Sequence, residues 1–126
     1  MSDHPQILIA ENNGIIASDI QCLLANWGYD TPVLADSVDR TFDIIRHRKP
    51  DLIVMGTQLK DSNDCLRLAP WISKTYRVPM IVFVVWIDRE VKKCANHLKS
   101  FYCLSEPFDS ENLRKLIHRA LEKRRN

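Results

Sequence analysis

Three oxygen-bearing side chains stand where two apolar stretches of the chain end, and oxygen ligands suit a hard cation. Glu11 and Asn12 directly follow the apolar stretch Ile7–Ala10. Glu106 comes shortly after a second apolar stretch, at 101–104. Two carboxylates and an amide could bind a metal ion or a small cation. The same groups could equally be solvated at the surface, so a cation site is one of two interpretations of this pattern.

The histidines and cysteines offer no comparable site. The histidines fall on separate predicted elements, and no two cysteines have the short spacing of a zinc or redox motif. A redox role would fall to Cys94 and Cys103, although only scattered lysines stand near them to lower a thiol pKa. We expect the cysteines to be buried and reduced. The histidines are His4, His47, His97 and His118, and the cysteines are Cys22, Cys65, Cys94 and Cys103.

Apolar stretches and helical patterns alternate five times along the chain, which predicts strands and helices in strict alternation. Helix α1 should end before Gly28, α2 should follow Asp36 or Ser37 as N-cap, and α3 should start near Asn63 or Asp64. The predicted strands are β1 at 6–10, β2 at 31–35, β3 at 52–55, β4 at 79–85 and β5 at 101–104. The last helices are predicted as α4 at 88–98 and α5 after Asp109.

Elements of these lengths predict an α/β fold of the (βα)5 type with a doubly wound, five-stranded parallel sheet. In the strand order 2-1-3-4-5, ligands bind beyond the carboxyl ends of β1 and β3, and we call that edge the rim. The hydrophobicity of β4 predicts a place at the centre or second from the edge. Pro70 predicts that α3 is kinked, or that it begins or ends near this residue.

Several segments resemble the response-regulator receiver family, which is CheY-like and flavodoxin-like in fold. The segment 7–13 (ILIAENN) is similar to the family's first strand and acidic rim. The segment 50–61 (PDLIVMGTQLKD) is similar to its third strand and the loop after it, and 106–109 (EPFD) to the end of its fifth strand. The resemblance covers essentially the whole chain and implies a single receiver-like domain at 1–126.

The resemblance also implies a site that has lost its chemistry. Gly56 stands at the family's phosphoacceptor aspartate, and glycine has no side chain to attack a phosphoryl donor. Glu11 keeps one acidic metal ligand whereas Asn12 replaces the other. Val84 replaces a hydroxyl residue, and Glu106 replaces a lysine and so reverses the local charge. We therefore expect a degenerate pseudo-receiver that works without aspartyl phosphorylation, catalyses no reaction and needs no cofactor.

In the family, the surface formed by α4, β5 and α5 carries partner contacts and dimerisation. Trp86 is the best anchor candidate there, because partly exposed tryptophans are common at interface hot spots, although it could also pack under α4. Cys103 stands at the family's switch aromatic, and Tyr102 should point to the other face of the sheet. We expect a signalling partner, such as a histidine kinase, a regulator or another receiver, or a second copy of the chain. The candidate contacts are Trp86, Lys92, Lys93, Tyr102, Cys103, Arg114, His118 and Arg119.

Two other functions stay open. The altered rim could sense a metal ion or another ligand through Glu11, Asn12 and Glu106. Alternatively, the chain could be a phosphorelay receiver with an unusual acceptor such as Asp61. A flavodoxin-type cofactor is not expected, because the loop after β1 is acidic and amide-rich instead of rich in Gly, Ser and Thr.

Length and composition set the remaining expectations. The chain has 126 residues, a formal charge of +2, 45% hydrophobic and 27% charged residues, the balance of one ordinary globular domain. A basic C-terminal helix is usually a solvated face, so we expect no specific nucleic-acid partner. The apolar run at 78–87 is about half of a membrane span, and no secretion signal opens the chain. We therefore expect a cytoplasmic protein with no membrane segment and no second output module.

Overall fold

The computed structural model describes residues 4–56, 59–61, 65–84, 100–105 and 108–123. Its strands are β1 Ile7–Ala10, β2 Val33–Ala35, β3 Leu52–Met55, β4 Met80–Val84 and β5 Phe101–Ser105. Its helices are α1 Gly14–Asn26, α2 Val38–His47, α3 Cys65–Tyr76 and α5 Ser110–Lys123. The helix predicted as α4 at 88–98 lies outside the described residues. None of the helices in the described ranges is long and apolar enough to cross a membrane.

All five strands lie parallel in one sheet in the order β2-β1-β3-β4-β5, which confirms the predicted topology. Leu8 of β1 lies opposite Val33 of β2 on one side and Ile53 of β3 on the other. Every residue of β1, β3 and β4 is buried, as expected where helices cover both faces of parallel strands. Strand β4 lies second from the edge, as predicted, and the edge strand β2 is two residues shorter than predicted.

The helices divide between the two faces of the sheet and form two cores. Helices α1 and α5 cover one face, and α2 and α3 cover the other. Because neighbouring residues of a strand point to opposite faces, β1, β3, β4 and β5 each supply residues to both cores. The edge strand β2 supplies Ala35 to the α2–α3 core. The α1–α5 core includes Ile9, Ile20, Leu24, Val54, Phe83, Leu113 and Ile117. The α2–α3 core includes Leu8, Ile45, Ile53, Ala69, Ile72, Val82 and Phe101.

Side-chain caps define where the first two helices begin. The side chain of Asn13 accepts hydrogen bonds from the N–H groups of Ile15 at 2.9 Å and Ile16 at 3.3 Å. The hydroxyl of Ser37 accepts one from the N–H of Arg40 at 3.0 Å, so Ser37 is the N-cap of α2. Each cap satisfies N–H groups that have no partner within the helix. The caps therefore fix the start of each helix next to the rim.

Helix α3 runs from Cys65 to Tyr76 with Pro70 inside it, so the helix neither begins nor ends at the proline. The other predicted outcome, a kink at Pro70, stays a prediction. Proline is unfavourable in a helix interior, but tertiary packing routinely overrides local propensity. Here Ala69 and Ile72, on either side of the proline, are fully buried against the sheet. After the helix, Arg77 takes a φ of 52°, in the left-handed region where glycine is common.

Candidate functional site

The carboxyl ends of the central strands bring three of the predicted site positions to the rim. Glu11 directly follows β1, Gly56 directly follows β3, and Val84 ends β4. The N–H of Glu11 donates to the carbonyl of Ala35 at 2.9 Å, and the N–H of Gly56 donates to that of Ala10 at 2.9 Å. The hydrogen bonds between strands thus continue into the rim, and they hold the backbones of Glu11 and Gly56 side by side.

The carboxyl group of Glu11 fills the space in which a side chain at position 56 would begin. A Cβ atom added to Gly56 would overlap Glu11 Oε1 and would lie 2.7 Å from its Cδ and 3.1 Å from its Oε2. These distances are well below van der Waals contact, so the two groups could not coexist without movement. The observed conformation of Glu11 therefore depends on the glycine at position 56.

Asn13 supports both the carboxylate and the helix beside it. Its backbone N–H donates to Glu11 Oε2 at 3.0 Å, while its side chain caps α1. Asn13 was not among the residues predicted for the site, although an asparagine just before an apolar helical pattern is a common N-cap signal. The start of α1 and the position of the Glu11 carboxylate are thus fixed by one residue.

The other rim positions do not assemble into a cation site within the described residues. Asn12 is exposed, Val84 is buried among the apolar side chains of the α2–α3 core, and Glu106 lies outside the described residues. In the part of the chain that the structure describes, no group of three or more His, Cys, Asp or Glu could hold a metal ion. Valine also offers no hydroxyl for hydrogen bonding.

The loop after β3 is tied to the N-terminus of α2. Asp61 accepts hydrogen bonds from the N–H of Val38 at 2.6 Å and from the N–H of Asp39 at 3.2 Å. These bonds, the one from Val38 most strongly, lower the pKa of Asp61. Lys60 donates its N–H to the carbonyl of Asp36 at 2.9 Å and pairs with its carboxylate at 3.1 Å. Asp61, the acceptor in the phosphorelay alternative, therefore acts as a second cap of α2.

Helix α5 buries an apolar face and presents a charged one. Leu113, Ile117 and Ala120 are fully buried against the sheet. The outer face carries the predicted contacts Arg114, His118 and Arg119, and since these side chains are exposed, α5 can offer them to a partner. The exposed charged residues of this face are Glu111, Arg114, Lys115, His118, Arg119 and Glu122.

Arg114 also joins α5 to α1. Its guanidinium carbon lies 5.8 Å from the centre of the Trp27 ring, within the range of a cation–π contact. Partial burial raises the pKa of Tyr29, and the positive charge of Arg114 opposes part of that effect. Arg114 therefore already makes contacts within the domain. His118 lies 3.6 Å from its helix neighbour Glu122.

The two predicted contacts on β5 lie on opposite faces of the strand, as predicted. Tyr102 packs against the α1–α5 core, and its hydroxyl is buried with no hydrogen-bond partner among the described residues. Cys103 is partly buried against the α2–α3 core. Both side chains are mainly packed, so β5 offers a partner less surface than α5. The remaining predicted contacts, Trp86, Lys92 and Lys93, lie outside the described residues.

A doubly wound parallel sheet with helices on both faces and polar residues at its carboxyl edge defines a receiver-like class of α/β domain. The sequence model of the response regulator receiver domain family matches residues 7–118, and the chain belongs to that family.

Known proteins that resemble the chain include regulators of bacterial signalling. The chain is 26% identical to the phyllosphere-induced regulator PhyR of Methylorubrum extorquens over 117 residues, which cover 92% of the chain and 43% of PhyR. It spans about half the length of the curated relatives it matches.

Two solved structures show the same fold. The signal receiver domain of an HD domain-containing protein from Pseudomonas fluorescens has a TM-score of 0.82 and 24% identity, covering 97% of this chain and 98% of that one. The anti-anti-sigma factor PhyR from Bartonella quintana has a TM-score of 0.77 and 21% identity, covering 100% of this chain and 51% of that one.

Proposed function

We propose that this receiver domain is a pseudo-receiver, which signals through protein contacts without aspartyl phosphorylation. One observation carries the proposal: the carboxyl group of Glu11 occupies the space in which a side chain at position 56 would begin. Receiver chemistry requires a carboxylate at that position to attack the phosphoryl donor. Gly56 supplies none, and the neighbouring carboxylate closes the position.

The charges and groups of the rim support the same proposal. A phosphoryl group at position 56 would meet the negative charge of Glu11 directly, and like charges at contact distance repel strongly where water is limited. Val84 gives no hydroxyl to such a group. The glutamate at 106 takes the place of the family's lysine, so the sequence supplies no cation there. Asp61 caps α2 with both carboxylate oxygens, which does not favour it as a substitute acceptor.

The test of this proposal is the intact mass of the purified protein after incubation with acetyl phosphate and Mg²⁺. We expect no phosphoryl adduct. An ordinary receiver serves as the positive control, and the Gly56→Asp variant shows whether restoring the nucleophile alone restores the reaction. An adduct mapped to any side chain of the wild-type protein, Glu11 and Asp61 included, would overturn the proposal.

The partner surface that we propose is formed by α4, β5 and α5. Its support is the exposed charged face of α5. The partner would be a signalling protein, either a histidine kinase, a regulator or another receiver, or a second copy of this chain. The name of one structural relative, an anti-anti-sigma factor, describes a regulator that acts through other proteins. The proposed activity needs no cofactor and no catalysis, and we place it in the cytoplasm.

Substitutions on this surface test the partner proposal. We expect Trp86→Ala and Arg119→Ala to reduce binding of the partner that the wild-type protein captures, each by about tenfold if the residue is a hot spot. Asp19→Ala is the matched control, because Asp19 is an exposed residue on α1. Unchanged binding by both variants would move the partner site away from this surface.

A further inference from the structure

Three aromatic side chains form a half-exposed cluster on the outer side of α2 and α3, which we call the aromatic cluster. The ring centres of Phe42 and Trp71 are 5.8 Å apart and their planes meet at 71°. Tyr76 lies 6.1 Å from Trp71 at 84°, and 6.3 Å from Phe42. The two contacts of Trp71 have the edge-to-face geometry that aromatic pairs favour. Trp71 nevertheless keeps 52% of its surface exposed, so the cluster presents an apolar surface to the solvent.

Cations surround the aromatic cluster. The guanidinium carbon of Arg46 lies 5.5 Å from the centre of the Phe42 ring. Lys74 follows Trp71 by one helical turn and is therefore its neighbour on the exposed surface of α3. Arg77 directly follows Tyr76 and is also exposed. In the described part of the chain, none of the ion pairs involves these three cations.

Little negative charge balances these cations. The segment 65–77 contains no Asp or Glu. On α2, the nearest acid to Phe42 in sequence is Asp43, which lies 3.6 Å from His47. Cations at a helix C-terminus also complement the helix dipole, which accounts for part of the pattern. The dipole gives no reason, however, for a half-exposed tryptophan beside them or for an arginine in the left-handed region at position 77.

We propose that the aromatic cluster, together with Arg46, Lys74 and Arg77, docks an acidic amphipathic helix from a protein partner. Apolar side chains of that helix would cover Trp71, a residue type common at interface hot spots. Its carboxylates would pair with the cations. Because α2 and α3 cover the opposite face of the sheet from α5, this site is separate from the surface proposed above.

A single-stranded nucleic acid fits the same surface less well. Nucleic-acid sites combine a track of cations with aromatic faces open for stacking. Here Trp71 meets Phe42 and Tyr76 edge to face and Arg46 lies over the Phe42 ring, so ring faces are used within the cluster instead of being open for stacking. The exposed acids Asp39 and Asp43 on α2 would oppose a phosphate backbone and an acidic helix alike, so they do not decide between the two.

A peptide selection tests the proposal. A random library of roughly 16 residues, about four helical turns, is selected against the full chain and counter-selected against the Trp71→Ala variant. We expect enriched peptides with net negative charge and apolar residues at helical spacing, which bind wild type at least about tenfold more tightly than Trp71→Ala. The proposal fails if no peptide is enriched, if the enriched peptides carry no acidic bias, or if both proteins bind them equally.

The variant Arg77→Gly separates lost contacts from lost folding. Glycine suits the left-handed backbone at position 77, so we expect an equal or higher melting temperature together with binding that is several-fold weaker. Arg119→Ala, on α5, should bind the selected peptide as wild type does. An equal loss in Arg119→Ala would place the peptide on α5 and overturn the proposal. A single-stranded oligonucleotide of the same net charge should not compete, and effective competition would indicate a nucleic-acid surface instead.

Discussion

At the scale of single residues, the contact between Glu11 and Gly56 is the feature that departs most from an ordinary receiver rim. The absence of a side chain at position 56 makes room for the Glu11 carboxyl group, and on the pseudo-receiver proposal it also removes the nucleophile. The carboxylate is then held by the N–H of Asn13. The conformation of the Glu11 side chain therefore depends on the glycine at position 56, and this dependence can be measured.

The contact predicts a coupling free energy between positions 11 and 56. In the wild-type background, Gly56→Ala forces the flexible end of Glu11 to move and breaks its bond to Asn13, so we expect the free energy of unfolding to fall by up to about 1 kcal/mol. In a Glu11→Ala background the same change should stabilise by about 0.4–1 kcal/mol, because alanine restricts the unfolded chain. Urea denaturation of the four proteins measures both effects. If the separate effects of Glu11→Ala and Gly56→Ala on the free energy of unfolding add up to the effect of the double substitution within about 0.3 kcal/mol, the proposed contact is contradicted.

Part of this site could be predicted from the sequence. The place of Gly56 directly after β3 follows from the sequence, and the proposal that a nucleophile is missing there rests on the resemblance to the receiver family. The position of the Glu11 carboxylate does not follow, because it depends on a side-chain conformation and on a hydrogen bond from the loop backbone. The role of Asn13 was overlooked although its N-cap signal was present.

At the scale of elements, α2 shows how the loop after β3 is held. Three N–H groups in its first turn have side-chain acceptors, two from Asp61 and one from Ser37. The Ser37 cap is local in sequence and was predicted as one of two candidates. The Asp61 cap comes from a loop 22 and 23 residues further along the chain, so local sequence patterns could not indicate it. The loop beside the rim is therefore tied to a helix instead of being independent.

The Asp61 cap predicts a change of stability with pH. The N–H groups of α2 lower the pKa of Asp61 from its ordinary value of 3.8. The ionised carboxylate therefore stabilises the folded protein above pH 3.8, and this stabilisation is lost as the pH falls through the lower pKa of the folded state. We expect Asp61→Asn to melt at a lower temperature than wild type near neutral pH, and the difference to narrow below about pH 4. Melting temperatures between about pH 3 and 7 test this. Asp19→Asn, on the exposed face of α1, is the control, and a difference that stays constant over the range would refute the cap.

Helix α3 shows a case in which a local signal left two outcomes open. Pro70 predicts either a kink or a helix boundary, and α3 continues through it while Ala69 and Ile72 pack against the sheet, which excludes the boundary. Pro70→Ala should therefore raise the free energy of unfolding by about 1–3 kcal/mol, since it restores a backbone donor and removes a steric conflict. Urea denaturation is the measurement. Thr75→Ala, at an exposed position of the same helix, controls for helix propensity. If Pro70→Ala raises the free energy of unfolding no more than Thr75→Ala does, Pro70 does not lie in the interior of a helix.

At the scale of the whole molecule, the fold was the most predictable feature. Continuous apolar strands that alternate with amphipathic helices leave few arrangements, and the right-handed crossover rule selects among them. The parallel sheet with helices on both faces follows from that pattern, whereas the order β2-β1-β3-β4-β5 is the order of the flavodoxin-like folds that the chain resembles. The second-from-edge place of β4 agrees with its hydrophobicity. The aromatic cluster does not follow from the sequence pattern, because Phe42 and Trp71 meet only through the packing of α2 against α3.

The two proposed contact surfaces lie on opposite faces of the sheet. The α5 surface belongs to the α1–α5 side, and the aromatic cluster belongs to the α2–α3 side. A domain arranged in this way could bind two partners at once. The rim lies at the carboxyl edge between them, and in a pseudo-receiver it carries no phosphoryl group.

The most direct test of the central claim is a ¹⁵N NMR titration of the wild-type protein with Mg²⁺ and then beryllium fluoride, which mimics a phosphoryl group at a carboxylate. The amides of Glu11, Asn13 and Gly56 report on the rim. On the pseudo-receiver proposal the rim provides no acceptor, and the described residues form no cation site, so we predict that none of these amides shifts at either stage. Saturable shifts with Mg²⁺ alone would establish a cation site at the rim. Further saturable shifts of these amides with beryllium fluoride would establish a working receiver pocket and would contradict the pseudo-receiver proposal.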